Sequence, residues 1–279
     1  MRVLVTGANG FIGQYLTKHL LEAGHFVYRL DVDYTPVTYY NRVKESKCTT
    51  INEIKHLDFD FIFHLASYSR VQGSDDNRNI VFQSNVDLLI EVLEYSKEHN
   101  TPILFTSTSY IFANPYANAY GVTKKIGEDI CEYYRQRLNV DVRVCRLFNV
   151  YGNRLENYPE WKLGVVDLFV KLKRGNREYH INNSGDQRRD YVHIDDVCRG
   201  LLAISANGKA GVLYQIGSKE NFSVNEVANF IFFEKPPENR FDVSGEVHYI
   251  VCEDVSAMRD LGWKAEINLK EYLLSTTKG

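Results

Sequence analysis

The sequence has little that would hold a metal. Its five cysteines, Cys48, Cys131, Cys145, Cys198 and Cys252, are scattered, no CxxC pair occurs, and neither HExxH nor a His/Cys cluster is present. An odd number of isolated thiols suits a reducing cytoplasm better than a disulfide framework. No apolar run approaches membrane-spanning length, and "MRVLVTG" passes straight into a strand pattern, leaving no room for a signal peptide. There is no basic block, and the net charge is −3, which argues against nucleic acid as the main partner. Low-complexity segments and internal repeats are also missing. What remains is the expectation of a cytoplasmic, soluble chain with no membrane attachment. Its 279 residues, 44% hydrophobic and 25% charged, suffice for one large α/β domain or a domain plus a lobe.

Short apolar runs alternate with longer helical patterns through the first half. "RVLVT" (2–6), "FVYRL" (26–30), "DFIFHLA" (60–66), "PILFTS" (102–107) and "DVRVCRL" (141–147) read as buried strands, apolar enough for a sheet covered on both faces. Between them "IGQYLTKHLLEAG" reads as a helix stopped at Gly24, and 79–99 and 118–138 as longer helices. This alternation predicts an α/β fold with a doubly wound parallel sheet. After residue 150 the rhythm changes. "WKLGVVDLFVKLKRG" reads as a helix closed by Gly175, followed by short strands and helices, with the most turn-like stretch at 233–246. We expect a nucleotide-binding domain over 1–150 and a smaller mixed, predominantly substrate-binding lobe over 151–279, interleaved with the first.

"VTGANGFIG" places Gly7, Gly10 and Gly13 after the first strand and at the start of a helix. Glycine permits a sharp turn and close approach to a pyrophosphate, and the helix N-terminus offers free N–H groups and partial positive charge. Gly7, Gly10, Phe11, Ile12 and Gly13 are therefore candidate cofactor contacts. The bland alternative is a glycine turn that only packs helix on strand. Asp31 ends the second strand, 18 positions after Gly13. A carboxylate there accepts from ribose hydroxyls and repels an added phosphate, favouring NAD over NADP. Asp33 competes for this assignment.

"TSTSYIFANPYANAYGVTK" (106–124) holds three tyrosines, and only Tyr120 has a cation, Lys124, at i+4. A free phenol titrates near ~10. A nearby ammonium and an oxidised nicotinamide favour phenolate, giving a base that takes a proton from a sugar hydroxyl while hydride leaves carbon. Thr108, at the preceding strand end, is placed to hydrogen-bond the same oxygen. The alternative for YxxxK is an exposed helix pair.

The motifs "TGANGFIG", "FIFHLAS", "TSTSYIF", "YGVTK", "RLFNVYG", "GDQRRDYVHIDDV", "YQIGS" and "LGW" run in order along nearly the whole chain. In these the chain resembles an extended short-chain dehydrogenase/reductase of the NAD-dependent nucleotide-sugar epimerase/dehydratase group. The resemblance implies a Rossmann fold, Thr108 as hydroxyl partner, Tyr120 as base, and Lys124 as its helper and a contact to the nicotinamide ribose. It implies that His64, Leu65 and Ala66 line the cofactor groove and that Asn85 orders the site, the alternatives being a satisfied strand-end histidine and a helix-packing amide. Asn149, beyond the sixth strand at the carboxyl edge of the sheet, and Arg189 would meet the substrate diphosphate. Arg189 has the alternative of pairing with Asp190 or Asp195. Ser74 aligns near the sugar.

Departures from the pattern narrow the reaction. Thr108 and Tyr120 stand only 12 apart, so the loop that often shapes the sugar pocket is short. "SKCTTINEIKHL" lacks the aspartate that often contacts adenine, and the Arg-Pro-Gly-Asp element is absent, with Arg240 a conceivable substitute. Ser109 and Tyr110 replace the Asp-Glu pair of dehydratases, and the Arg-Ala-Phe variant of decarboxylases is missing. A C4 epimerase of a UDP-hexose is the expectation. A 4-keto-sugar reductase is the alternative, and a non-catalytic dinucleotide sensor a lesser one. Surplus apolar residues on the two long helices, Ile80, Phe82, Val86, Leu89, Leu93, Ile126, Ile130, Tyr133 and Tyr134, predict a homodimer.

Overall fold

The computed structural model describes residues 1–32, 44–45, 50–71, 73–152, 158, 160–232 and 249–277. Asp33, Cys48, Arg240 and the stretch 233–246 lie outside the described residues, so the expectations attached to them have no structural counterpart here.

The strands are β1 (Arg2–Thr6), β2 (Phe26–Leu30), β3 (Lys44–Glu45), β4 (Phe61–His64), β5 (Ile103–Thr108), β6 (Val142–Leu147), β7 (Asn149–Tyr151), β8 (Arg188–His193), β9 (Leu213–Ile216), β10 (Asn221–Ser223) and β11 (Tyr249–Ile250). The helices are α1 (Phe11–Glu22), α2 (Arg78–Phe82), α3 (Leu88–His99), α4 (Ala119–Leu138), α5 (Val165–Arg174), α6 (Ile194–Asn207), α7 (Val224–Phe232), α8 (Ser256–Leu261) and α9 (Leu269–Thr276). A π-helical turn, Gln83–Asp87, joins α2 to α3 without a break.

Seven strands form one parallel sheet in the order β3-β2-β1-β4-β5-β6-β9. Alternation along the strands supplies two buried faces. Val3, Val5, Phe61, Phe63 and Cys145 face one core with α1 and α6. Leu4, Ile62, Ile103, Phe105 and Val142 face the other, with α3 and α4. Burial on both faces is why these strands read as continuous apolar runs.

A second, mixed sheet is built on β8. β7 and β11 pair with it in parallel and β10 pairs antiparallel. A third core of Val166, Phe169, Val227, Ile231 and Leu273 packs α5, α7 and α9 beneath Tyr151 and Tyr191. Asp190 ties the two sheets together. Its buried carboxylate accepts from Ser218 N–H (2.7 Å), Ser218 Oγ (3.0 Å), Lys219 N–H (2.8 Å) and Cys252 N–H (3.2 Å). The helix read over 161–175 begins at Val165, because Gly164 is its extended N-cap, and Glu160–Lys162 is a separate 3-10 turn.

Candidate active site

The carboxyl ends of β1, β4 and β5 converge on one edge of the large sheet. Leaving β1, the chain turns at Gly7 with φ +70°. The Gly7 N–H donates to Leu30 O at 2.8 Å. A Cβ at Gly7 would lie 2.6 Å from Ala66 N, and one at Gly13 would lie 2.2 Å from Gly7 O. The bare backbone loop is thus pressed between β4 and α1, and Gly10 caps α1 with no side chain over its first N–H groups. This is a cradle that fits a pyrophosphate. Phe11 and Ile12 form the first turn of α1, half-buried against the sheet. Asp31 follows β2, and its Oδ2 accepts from Asn9 N–H at 2.8 Å, tying the glycine loop to the strand where a ribose would lie.

His64 ends β4. Its Nδ1 meets Thr6 Oγ1 at 2.8 Å, and Thr6 Oγ1 also accepts from Ala66 N–H at 3.3 Å. Thr6, which the sequence reading missed, thereby fixes the backbone of Leu65 and Ala66 beside Gly7. The His64 ring stacks on Phe105 and is enclosed, so burial, helped by the Lys124 charge, pushes its pKa down to about 3 and the ring is neutral. Asn85 sits in the π turn. It accepts from Tyr68 N–H (2.7 Å) and donates to Thr123 Oγ1 (2.9 Å), joining the segment after β4 to the middle of α4's first turns.

The connection from Thr108 to Tyr120 is folded into two 3-10 turns, Ser109–Phe112 and Pro115–Ala117, capped by Thr108 and Asn114. Asn118 caps α4 by accepting from Gly121 N–H at 2.9 Å. An asparagine just before a helical run is a sequence signal for such a cap. The Tyr120 phenol is buried, the Thr108 hydroxyl favours its charged form, and Thr108 Oγ1 accepts from Tyr110 N–H at 3.2 Å. Thr108, Tyr120 and Lys124 are thus gathered at one strand–helix junction.

The ammonium differs from its expected aim. Lys124 Nζ donates to Thr106 O at 2.9 Å, a carbonyl on β5, and lies over the Phe105 ring. Helical i,i+4 spacing places it on the phenol's face of α4, but the ammonium donates its hydrogen bond to the strand carbonyl. Burial consequently dominates both groups. It raises the Tyr120 pKa against the opposing influence of Thr108, and it pulls Lys124 down to about 8.

In the second sheet Asn149 opens β7 and donates to Asp190 O at 3.2 Å. Arg189, half-buried on β8, donates to Arg188 O at 2.9 Å. Asp190 is held by backbone N–H groups as above, and Asp195 bonds His19 (3.0 Å). Ser74 is fully enclosed in a turn and donates to Val71 O at 2.9 Å, so it shapes that turn and presents no surface to a sugar.

Comparison with known proteins agrees with this architecture. A putative UDP-glucose 4-epimerase of Methanocaldococcus jannaschii is 27% identical, covering 96% of this chain and 95% of the relative. An uncharacterised UDP-glucose epimerase of Bacillus subtilis is 30% identical, covering 83% and 81%. A crystal structure of UDP-glucose 4-epimerase with UDP-glucose from Thermotoga maritima superposes with TM-score 0.89 at 25% identity, covering 100% and 98%. The profile of the NAD dependent epimerase/dehydratase family matches residues 3–217, most of the chain and all of the elements that carry the glycine loop, Thr108, Tyr120 and Lys124. The protein therefore belongs to the NAD-dependent epimerase/dehydratase family, and is an enzyme whose coenzyme is NAD.

Proposed function

We propose that the enzyme inverts C4 of a UDP-hexose through a transient 4-keto sugar. The observation that carries this reading is the buried Tyr120 at the start of α4, its charged form favoured by Thr108 at the carboxyl end of β5, with Lys124 one turn away. The 4-epimerases that the chain resembles support the choice of nucleotide and carbon.

In this reading the N–H groups of the 7–13 loop hold the pyrophosphate of NAD, Asp31 the adenosine ribose, and Leu65 and Ala66 the groove wall. Asn85 fixes that wall to α4. Lys124 holds the nicotinamide ribose. When bound, NAD accepts hydride from the sugar carbon and returns it, so no net oxidation occurs. Tyr120 removes the O4 proton as the C–H bond breaks, and returns it to the oxygen after the keto sugar has presented its other face. To act as base Tyr120 must first have lost its own proton, and Thr108 donates to that phenolate, offsetting the cost of charge in a buried site. Asn149 and Arg189 bind the diphosphate, for which a guanidinium fork is suited. Because Asp190 O holds Asn149 and its carboxylate holds the 217–219 loop, one residue places both sides of that subsite.

The surplus apolar side chains on the long helices support a homodimer. Leu89, Leu93 and Tyr134 are spent on the core, but Ile80, Phe82, Ile90 and Tyr133 stay exposed.

The test is incubation of the NAD-loaded protein with UDP-, dTDP-, GDP- and CDP-sugars, their 4-keto forms included, followed by NMR. Interconversion of UDP-glucose and UDP-galactose without net NADH consumption is expected, and a Tyr120→Phe variant should bind NAD yet lose at least ~100-fold in kcat. Stoichiometric consumption of NADH or NADPH with a 4-keto sugar would make the enzyme a reductase. Unchanged turnover in Tyr120→Phe would remove the mechanism.

A further inference from the structure

Tyr110 is a second phenol beside the reacting one, and the mechanism above leaves it without a task. Its ring lies 6.4 Å from the Tyr120 ring, tilted by 59°, and its backbone N–H sits on Thr108 Oγ1. The short connection between Thr108 and Tyr120 folds back on itself, so position 110 returns against position 118. There Asn118 Nδ2 donates to the Tyr110 oxygen at 3.1 Å.

The orientation of that amide is fixed by its other end. Asn118 Oδ1 caps α4 through Gly121 N–H at 2.9 Å. Turning the amide over would set an NH2 group against the Gly121 N–H and uncap a 20-residue helix. Nδ2 therefore faces Tyr110, and the phenol oxygen is an acceptor in that contact. Its own proton needs an acceptor in turn, and none bonds it among the described residues. The side chain is half-buried, so the donor is neither lost in the core nor fully in water.

We infer that Tyr110 is a sugar-binding residue: aimed by Asn118, it donates its hydroxyl proton to an oxygen on a carbon adjacent to the one that Tyr120 serves. It thereby selects hexoses carrying a hydroxyl or carbonyl oxygen at that place over deoxy sugars. A compact chain with a short pocket loop supplies this contact from the loop's own first turn. The inference rests on the sugar-nucleotide reading above and adds the residue that discriminates among sugars.

The experiment uses the NAD-loaded protein, with UDP, UDP-glucose and UDP-galactose as probes titrated by calorimetry, and turnover measured in parallel. Tyr110→Phe removes one oxygen and keeps the ring. It should weaken binding or kcat/KM for the UDP-hexoses by about tenfold, while UDP and NAD affinities stay within about twofold. Asn118→Asp keeps the cap, because aspartate caps a helix as well as asparagine does, but its free oxygen would accept the Tyr110 proton and draw it from the sugar. It should therefore match Tyr110→Phe, and the double variant should be no worse than either single one. Equal hexose binding and turnover in Tyr110→Phe and the parent would overturn the inference and leave the epimerase reading intact. So would a parallel loss of UDP, NAD and hexose binding, which marks a purely structural role. If the parent protein binds none of the sugar nucleotides, the wider reading and this one fall together.

Discussion

Lys124 is enclosed, its ammonium donating to a strand carbonyl and lying over the Phe105 ring, and the consequence of that burial is a slope in stability with pH. Burial takes its pKa from an ordinary 10.5 to about 8. Below pH 8 both folded and unfolded chains carry the proton, so the folded state bears the full cost of the buried ammonium. Between about 8 and 10.5 the unfolded chain binds more protons, so stability rises with pH, by up to roughly 3 kcal/mol. Lys124→Met should therefore raise the Tm of the coenzyme-free protein at pH 7, with the gain shrinking to nothing by about pH 10, while turnover is lost. His64 has a second window on the acid side. Its folded pKa, about 3 against an ordinary 6.5, means that stability is complete above pH 6.5 and is lost as the pH falls toward 3. His64→Asn should flatten that acid limb. Thermal melts from pH 4 to 10 on the three proteins check both signs, and Lys124→Met and parent curves that run parallel throughout would refute the first.

At the scale of elements, α4 must come close to the sheet for Lys124 to reach Thr106 O. Gly127 permits this, since a Cβ there would lie 2.8 Å from Phe105 Cζ and 3.2 Å from Leu89 Cδ2. Phe105 is also the ring beneath the Lys124 ammonium and beside His64. Gly127→Ala should push the helix outward, costing about 1–3 kcal/mol of stability and lowering kcat more than tenfold by displacing Tyr120 and Lys124 together. Shortening the obstruction with Phe105→Leu should restore part of both losses. An alanine variant with parental kcat would show that the helix position is not set there. The sequence announced α4 and the strands β1 and β2 because their apolar spacing is decided locally. It did not announce the π turn at Gln83–Asp87, since one extra residue in a helical turn leaves the apolar pattern on either side unchanged. The Lys124–Thr106 bond and the Tyr110–Asn118 pair were equally hidden. Each joins groups that become neighbours only when a strand, a turn and a helix have packed, whereas the Gly7–Gly13 spacing and the Tyr120–Lys124 spacing are properties of contiguous chain. Ser74 shows the limit of carrying a role by alignment alone: its position is near the right segment, but its hydroxyl is consumed by the turn it builds.

For the molecule as a whole, the unanswered surface is the outer face of α2, α3 and α4. No described helix is long and apolar enough to cross a membrane, so a bilayer-spanning role does not account for that face. Ile80 and Phe82 on α2, Ile90 on α3 and Tyr133 on α4 are exposed there, Ile80 by 54% and Tyr133 by 56%. Four side chains fall short of the roughly 800 Å² per partner that a stable interface hides, so the proposed dimer must use the flanking polar residues of these helices as a rim. The first two turns of α4 carry Tyr120 and Lys124 and its C-terminal half carries Tyr133, so the proposed partner would brace the reacting residues without adding any group to the site. Phe82→Glu combined with Tyr133→Glu places like charges on a face that would meet its own copy, and both positions are exposed, so the monomer fold has no reason to suffer. We expect light scattering at micromolar concentration to give the mass of two chains for the parent and of one chain for the double variant, with unchanged circular dichroism. Turnover of the variant should fall, and its loss should be steeper on warming than the parent's, because α4 then depends on intrachain packing alone. A one-chain mass for the parent at that concentration would remove the dimer and leave the exposed aromatic and aliphatic face to be explained by another partner.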